Sequence, residues 1–160
     1  MRTSAATVTP AVTGRILAKA RLDPILPGVT DGAECLEPLC AALAATGVRK
    51  IAASVLFLRP AVIGSLRRHV GDKVMLNRML DHFASAELLT IHAAGSRVRA
   101  LPTRARLEIM ERLRSIAHRY GLEVLVCACK NPDISSGSCH ISGRWPPAAR
   151  SGGQLGLFQR

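Results

Sequence analysis

The sequence predicts an α/β fold assembled from βα units around parallel strands. Three observations lead there. Residues 48–58 end in eight almost wholly apolar positions, and residues 122–128 read Leu-Glu-Val-Leu-Val-Cys-Ala; both patterns suit strands buried on two faces, as in a parallel sheet or barrel. A third extended segment, 16–26, closes in Asp23-Pro24-Ile25-Leu26-Pro27-Gly28, where two prolines and a glycine end a strand and open a loop. Apolar stripes of helical period separate these segments, the order expected of βα units.

The elements follow in order. Residues 1–14 show no clear period and contain Pro10 and Gly14, so they read as irregular. After the first strand, Asp31 with Glu34 three residues on offers a helix cap. Leu36, Leu39, Cys40 and Leu43 form that helix's inward stripe, Pro38 is a candidate for its first turn, and Gly47 stops it. Arg59-Pro60 ends the second strand, and Pro60 suits the first turn of the next helix, whose inward face is Val62, Ile63, Leu66 and Val70. Gly71 ends that helix and Asp72 caps another, with Met75, Leu76, Met79, Leu80 and Phe83 inward. Residues 88–93 and 97–101 are extended around Gly95-Ser96 and predict a hairpin. Pro102-Thr103 introduces a long helix over 104–120, with Leu107, Met110, Leu113, Ile116 and Tyr120 inward and Gly121 as its stop. From Lys130 the texture turns to Asn, Pro, Ser, Gly and Arg with no acidic residue beyond Asp133, so 130–160 reads as loop and tail. Three strands are few for a self-standing parallel sheet, whose faces and edges both need cover.

Composition bounds the function. A 160-residue chain that is 48% hydrophobic and 21% charged is globular in balance and too short for more than one large domain. No run of 18 apolar residues could cross a membrane, and residues 1–13 lack the apolar core of a secretory signal. Five irregularly spaced cysteines argue against a secreted disulfide framework and for a cytoplasmic chain with reduced thiols. Twenty-two basic residues against 11 acidic ones give a net charge of +11, which attracts polyanions such as DNA. Only five aromatic residues are available to stack bases.

Two constellations could carry chemistry. In Cys127-Ala128-Cys129-Lys130-Asn131-Pro132-Asp133, two thiols leave one face of a strand end, and Cys139-His140 returns after a turn-rich loop. Three thiolates suit an iron–sulfur cluster, and His140 as a fourth ligand would suit zinc, with Lys130 favouring the thiolate forms. The other reading is a core cysteine and two loop thiols. Arg21 and Asp23, at the end of the first strand, either orient a polar ligand or form an internal salt bridge that locks the strand end. Cys35 and Cys40 do not converge on a helix. The histidines 69, 82, 92 and 118 are scattered, and Ser136-Gly137-Ser138 lacks the glycines of a nucleophile elbow. The arginines of 104–120, namely Arg104, Arg106, Arg112, Arg114 and Arg119, read as a solvated face with helical ion pairs or as a phosphate-binding stripe.

Residues 20–31 (Ala-Arg-Leu-Asp-Pro-Ile-Leu-Pro-Gly-Val-Thr-Asp), the strand ending Val55-Leu56-Phe57-Leu58-Arg59-Pro60, and residues 126–133 together resemble the later part of radical S-adenosylmethionine proteins of the spore photoproduct lyase-like group, whose members are often labelled DNA repair photolyases. The resemblance runs from about residue 16 to residue 145. It implies later βα units of a partial triosephosphate-isomerase-like barrel over 15–129, followed by an irregular tail over 130–160. It also implies S-adenosylmethionine and a four-iron–four-sulfur cluster as the intact family's cofactors, with adenosyl-radical hydrogen abstraction as its chemistry. By position in the strands, Arg21, Asp23 and Ser54 are the cofactor-binding candidates, and Cys127, Cys129 and Cys139 the metal candidates. The family's Cys-x-x-x-Cys-x-x-Cys motif is not in this sequence. The resemblance therefore implies a truncated piece, inactive alone, that associates with a complementary N-terminal chain or with itself through strand edges. A small basic nucleic-acid-binding module is the alternative.

Overall fold

The computed structural model describes residues 19–91, 96–126, 128 and 130–136. Expectations for residues 1–18, for His92 and Gly95, for Cys127, Cys129, Cys139, His140 and Trp145, and for the tail from 137 onward lie outside the described residues. The order is β1 (Lys19–Ile25), α1 (Ala33–Ala45), β2 (Lys50–Val55), α2 (Pro60–His69), α3 (Lys73–Asp81), β3 (Glu87–Ile91), β4 (Ser96–Ala100), α4 (Thr103–Arg119) and β5 (Glu123–Val126). The fold is α/β, with three parallel strands in the order β1-β2-β5 and a separate antiparallel pair, β3-β4.

Side-chain alternation gives the sheet two unlike faces. Register aligns Ala20, Ile51 and Val124 across the three strands, and Leu22, Ala53 and Val126 one step on. These residues belong to the apolar core or pack against it, together with Leu36 and Cys40 of α1 and Met110, Leu113, Ile116 and Ala117 of α4. The opposite face carries Lys19, Lys50 and Glu123, then Arg21, Ala52 and Leu125, and then Asp23 and Ser54. β2 is central, and every residue from Ile51 to Val55 is buried, as the sequence predicts. The strand is shorter than its apolar run. Leu56 N still donates to Ile25 O of β1 at 2.9 Å, and beyond it the chain leaves the sheet, so that Leu58 exchanges both backbone hydrogen bonds with Arg99 of β4, at 2.9 and 3.0 Å. The apolar run therefore serves two partners, and this exchange stitches the hairpin to the chain after β2.

The stop and start signals largely hold. Gly47 and Gly121 sit just beyond their helices with φ of 84° and 66°, the left-handed region that glycine enters without a Cβ penalty. Pro60 occupies the first turn of α2, and Asp72 Oδ1 accepts from Met75 N at 2.9 Å as the cap of α3. The hairpin is present: Ile91, Val98 and Ala100 turn inward, while Leu88 is exposed.

Four expectations need correction. Asp31 is not the cap of α1. Gly32 holds that position without a side-chain bond, because the Asp31 carboxylate instead accepts from Gly28 N at 2.8 Å and faces Arg112 at 3.4 Å. Pro38 lies inside α1 rather than at its first turn. The amide it lacks would have reached Glu34 O, in a turn whose geometry is already set from Ala33. Leu39 and Leu107 are exposed at 41% and 44%, so neither belongs to an inward stripe. In α4 the stripe runs through 106, 110, 113 and 117, and Arg106 takes the place expected of an apolar side chain. Arg106 is thus fully buried and does not lie on a solvated face.

Candidate functional site

The carboxyl ends of β1 and β2 meet α2 and the hairpin around a cleft of about 350 Å³. Pro24, Val55, Leu56, Phe57, Val62 and Ile91 supply its apolar lining; Asp23, Arg59 and Lys130 supply its charge. Parallel folds present their functional groups at this edge of the strands. The Asp23–Pro24 peptide at this strand end is cis, and the β1–β2 register shifts between Leu22 and Ile25.

Asp23 is the cleft's polar centre, with its side chain only 8% exposed. Its Oδ2 accepts from Arg21 Nε at 2.9 Å and from Arg21 Nη2 at 2.7 Å. The Lys130 ammonium bonds the same oxygen from the loop after β5. The salt-bridge reading of Arg21 and Asp23 is therefore realised, within a cluster that also lines an open cleft. Of the three cofactor candidates, Asp23 alone lines the cleft. Arg21 stands behind it on the same sheet face. Ser54 is buried, and its hydroxyl donates to Val55 O at 3.2 Å. Lys130, expected to favour thiolates, has its ammonium on Asp23, and the thiols of that expectation lie outside the described residues.

A second cluster fixes the loop that delivers Lys130. Arg106 Nε donates to Leu101 O at 2.9 Å, Nη1 to Asp133 Oδ1 at 3.0 Å, and Nη2 to Thr103 Oγ1 at 3.1 Å and to Asp133 Oδ2. Thr103 N and Oγ1 both donate to Glu87 Oε2, at 3.2 and 3.1 Å. Hydrogen bonding from Arg106 holds the Asp133 carboxyl below the usual carboxylate range, and partial burial only opposes this. Ser136 closes the loop's base: its N donates to Val126 O at 3.1 Å, and its Oγ accepts from Val126 N at 3.0 Å. Residues 130–136, read from sequence as the start of a tail, are thus pinned to the fold at three points.

No family model, curated protein or solved structure matches the chain. Among the described residues, no group of three or more His, Cys, Asp or Glu side chains could hold a metal ion. The three metal candidates, Cys127, Cys129 and Cys139, lie outside the described residues. Cys40 is buried in the core and Cys35 is half-buried, with its thiol toward Val29 O at 3.5 Å. Burial pushes the Cys40 thiol up, so it is held protonated; nearby Arg119 only partly offsets this. Among the described residues, no helix is long and apolar enough to cross a membrane.

Sequence reasoning missed the partners of this site. Lys130 and Asp23 are 107 positions apart, and nothing local couples them. Arg106 did carry a signal, since it shares helical spacing with Met110, Leu113 and Ala117. Asp133 carried one too, as the last acidic residue of a basic chain.

Proposed function

We propose that this chain carries later βα units of a radical S-adenosylmethionine barrel resembling spore photoproduct lyase, and that the cleft at Asp23 lies on the cofactor side of that barrel. The observation that supports this reading is the two-faced sheet. Its helix-covered face is apolar, while Arg21, Asp23, Ala52 and Ser54 share the other face and lead to the cleft at the strand ends. Functional groups gathered at the carboxyl ends of parallel strands are the barrel arrangement. Among the described residues β1 and β5 each pair only with β2, so each leaves an edge toward which a complementary set of strands could extend.

The donor chemistry of Cys127, Cys129 and Cys139 suits thiolate ligation of iron–sulfur or zinc. An iron–sulfur cluster, when bound in such enzymes, supplies the electron that cleaves S-adenosylmethionine. This chain's own part is narrower. Asp23, held by Arg21 and Lys130, presents a fixed carboxylate for the polar groups of a bound molecule, and the apolar lining offers contact to the rest of it. The test is assembly: the full chain is mixed with a cluster-bearing N-terminal half of a spore photoproduct lyase-like enzyme and sized by light scattering. A one-to-one complex is expected, and two separate species count against the reading.

A nucleic-acid partner has its own support. Arg67 and Arg68 on α2 and Arg97 and Arg99 on β4 are exposed. Duplex DNA should then bind with a log–log salt slope of about −0.9 per phosphate contact. A gel-shift series without binding at low salt removes this partner.

A further inference from the structure

We infer that a notch between α2, the end of α3 and β4 is a binding site for a phosphate group, gripped by Arg67 and Arg99. The notch has a volume of about 220 Å³, with Leu58 and Phe83 in its lining and Arg67, Asp81 and Arg99 as its charged groups. Leu58 and Phe83 are buried and form its floor, whereas the three charged residues are exposed and form its rim. Among the described residues, neither the Arg67 guanidinium nor the Asp81 carboxylate has a hydrogen bond or an ion pair. Arg99 uses one donor, from Nη2 to Phe83 O at 3.1 Å, and makes no ion pair. Two cations face one carboxylate, so the rim is positive. A guanidinium is a fork of N–H donors, and only one donor of the two forks is taken. A carboxylate is satisfied by one such fork. A phosphate monoester, with three terminal oxygens and about 1.5–2 negative charges, can occupy both. The notch is smaller than the roughly 300–1,000 Å³ of sites that enclose a whole drug-sized ligand, so it takes the phosphate and leaves the rest of the molecule outside.

Both arginines stand on backbone that is fixed before any ligand arrives. Arg67 lies in the last turn of α2, and Lys73 Nζ donates to Arg67 O and to Val70 O, both at 2.7 Å, which fastens the start of α3 to that turn. Arg99 is held by its backbone exchange with Leu58 and by its side-chain bond to Phe83 O. Donors fixed by the fold lose less freedom on binding than donors on a free tail. The site shares Arg67 and Arg99 with the nucleic-acid reading but does not rest on it, since a single phosphate group fills the notch and no duplex is needed. It lies apart from the Asp23 cleft and is independent of the barrel reading.

The experiment titrates the full, nitrogen-15-labelled chain with methyl phosphate, dimethyl phosphate and acetate at equal ionic strength, read by NMR at the arginine Nε–H signals. The preferred phosphate ester is expected to saturate the Arg67 and Arg99 signals with a Kd of about 1 mM, about tenfold tighter than acetate. A methyl phosphate preference assigns a terminal phosphomonoester, and a dimethyl phosphate preference assigns a phosphodiester such as a nucleic-acid backbone. Arg67→Gln removes no hydrogen bond of the fold and should weaken the preferred ester by about fivefold to tenfold. Arg99→Lys keeps the charge without the fork and should weaken it by about threefold. Asp81→Asn removes the opposing charge and should tighten it by about twofold to threefold. Lys50→Gln, at the far end of β2, should leave affinity unchanged. Melting temperatures show whether each variant is folded. Acetate binding as tightly as the ester, Arg67→Gln binding like wild type, Lys50→Gln weakening binding as much as Arg67→Gln, or no saturation below about 20 mM would each overturn the site.

Discussion

Removing the Asp133 carboxylate should destabilise the fold far more than the loss of an ordinary loop charge. Arg106 is fully buried, and Asp133 takes both of its terminal nitrogens. Asp133→Ala leaves the buried guanidinium with only the Glu87 carboxylate, 4.0 Å away, as counter-charge. Breaking such a pair from one side costs about 3–5 kcal/mol. Asp133 itself is 29% exposed, so water can partly replace it, and the lower end, about 3 kcal/mol, applies. For a chain of this length that is roughly 6–12 °C in melting temperature. Asp133→Asn keeps one acceptor and should lose about half as much. Arg106→Met should also destabilise, since Leu101 O loses its charged donor. The double variant should cost less than the two single ones together, with a coupling of about 1–3 kcal/mol. Urea and thermal unfolding of all four proteins measure this cycle. Additive losses, or an Asp133→Ala protein melting within about 1 °C of wild type, would refute the claim that Arg106 anchors the loop.

Other outcomes follow from the same contacts. Because its folded pKa is depressed, Asp133 contributes stability that is fully present above the ordinary carboxylate range and is lost as pH falls through the lowered value; Asp133→Asn should therefore flatten the acid limb of a stability-versus-pH curve. Gly28→Ala should cost about 1–2 kcal/mol from its φ of 68°, plus a clash, because the added Cβ would lie 2.5 Å from His82 Nε2; Gly47→Ala, with open space around it, should show the φ cost alone in parallel melts. Iodoacetamide mapping by mass spectrometry at pH 8 should label Cys35 well before Cys40, whose thiol is buried and held protonated; equal labelling would contradict its core position. Anaerobic reconstitution should load iron or zinc on the Cys127, Cys129 and Cys139 thiols, and a triple Cys→Ser variant that retains the same metal content would remove them as ligands.

Legibility in the sequence divided along physical lines. The three parallel strands, the hairpin and four helices were readable because each rests on local pattern: apolar runs, alternation, helical period and the punctuation of Gly47, Pro60, Asp72 and Gly121. Asp31 misled because an Asp before a helix can bond either the helix or the loop, and here Gly28 N is the loop donor it meets. The site was half legible. Arg21 and Asp23 lie two apart on one strand face, and their type and place suggested a strand-end pair. Lys130, Asp133 and Arg106 were not assembled, since the burial of a charge depends on a partner supplied by tertiary packing. An arginine on an apolar stripe with one late acidic residue downstream is the pattern that could have raised the question.

The proposal that this chain supplies the cofactor side of a radical S-adenosylmethionine barrel turns on Asp23. The direct measurement is calorimetric titration of S-adenosylmethionine into the chain assembled with a cluster-bearing N-terminal half, comparing wild type with Asp23→Ala. Binding that weakens by about tenfold or more in Asp23→Ala is the expected result. Unchanged affinity in Asp23→Ala, or no binding by the assembled wild type, would contradict the proposal.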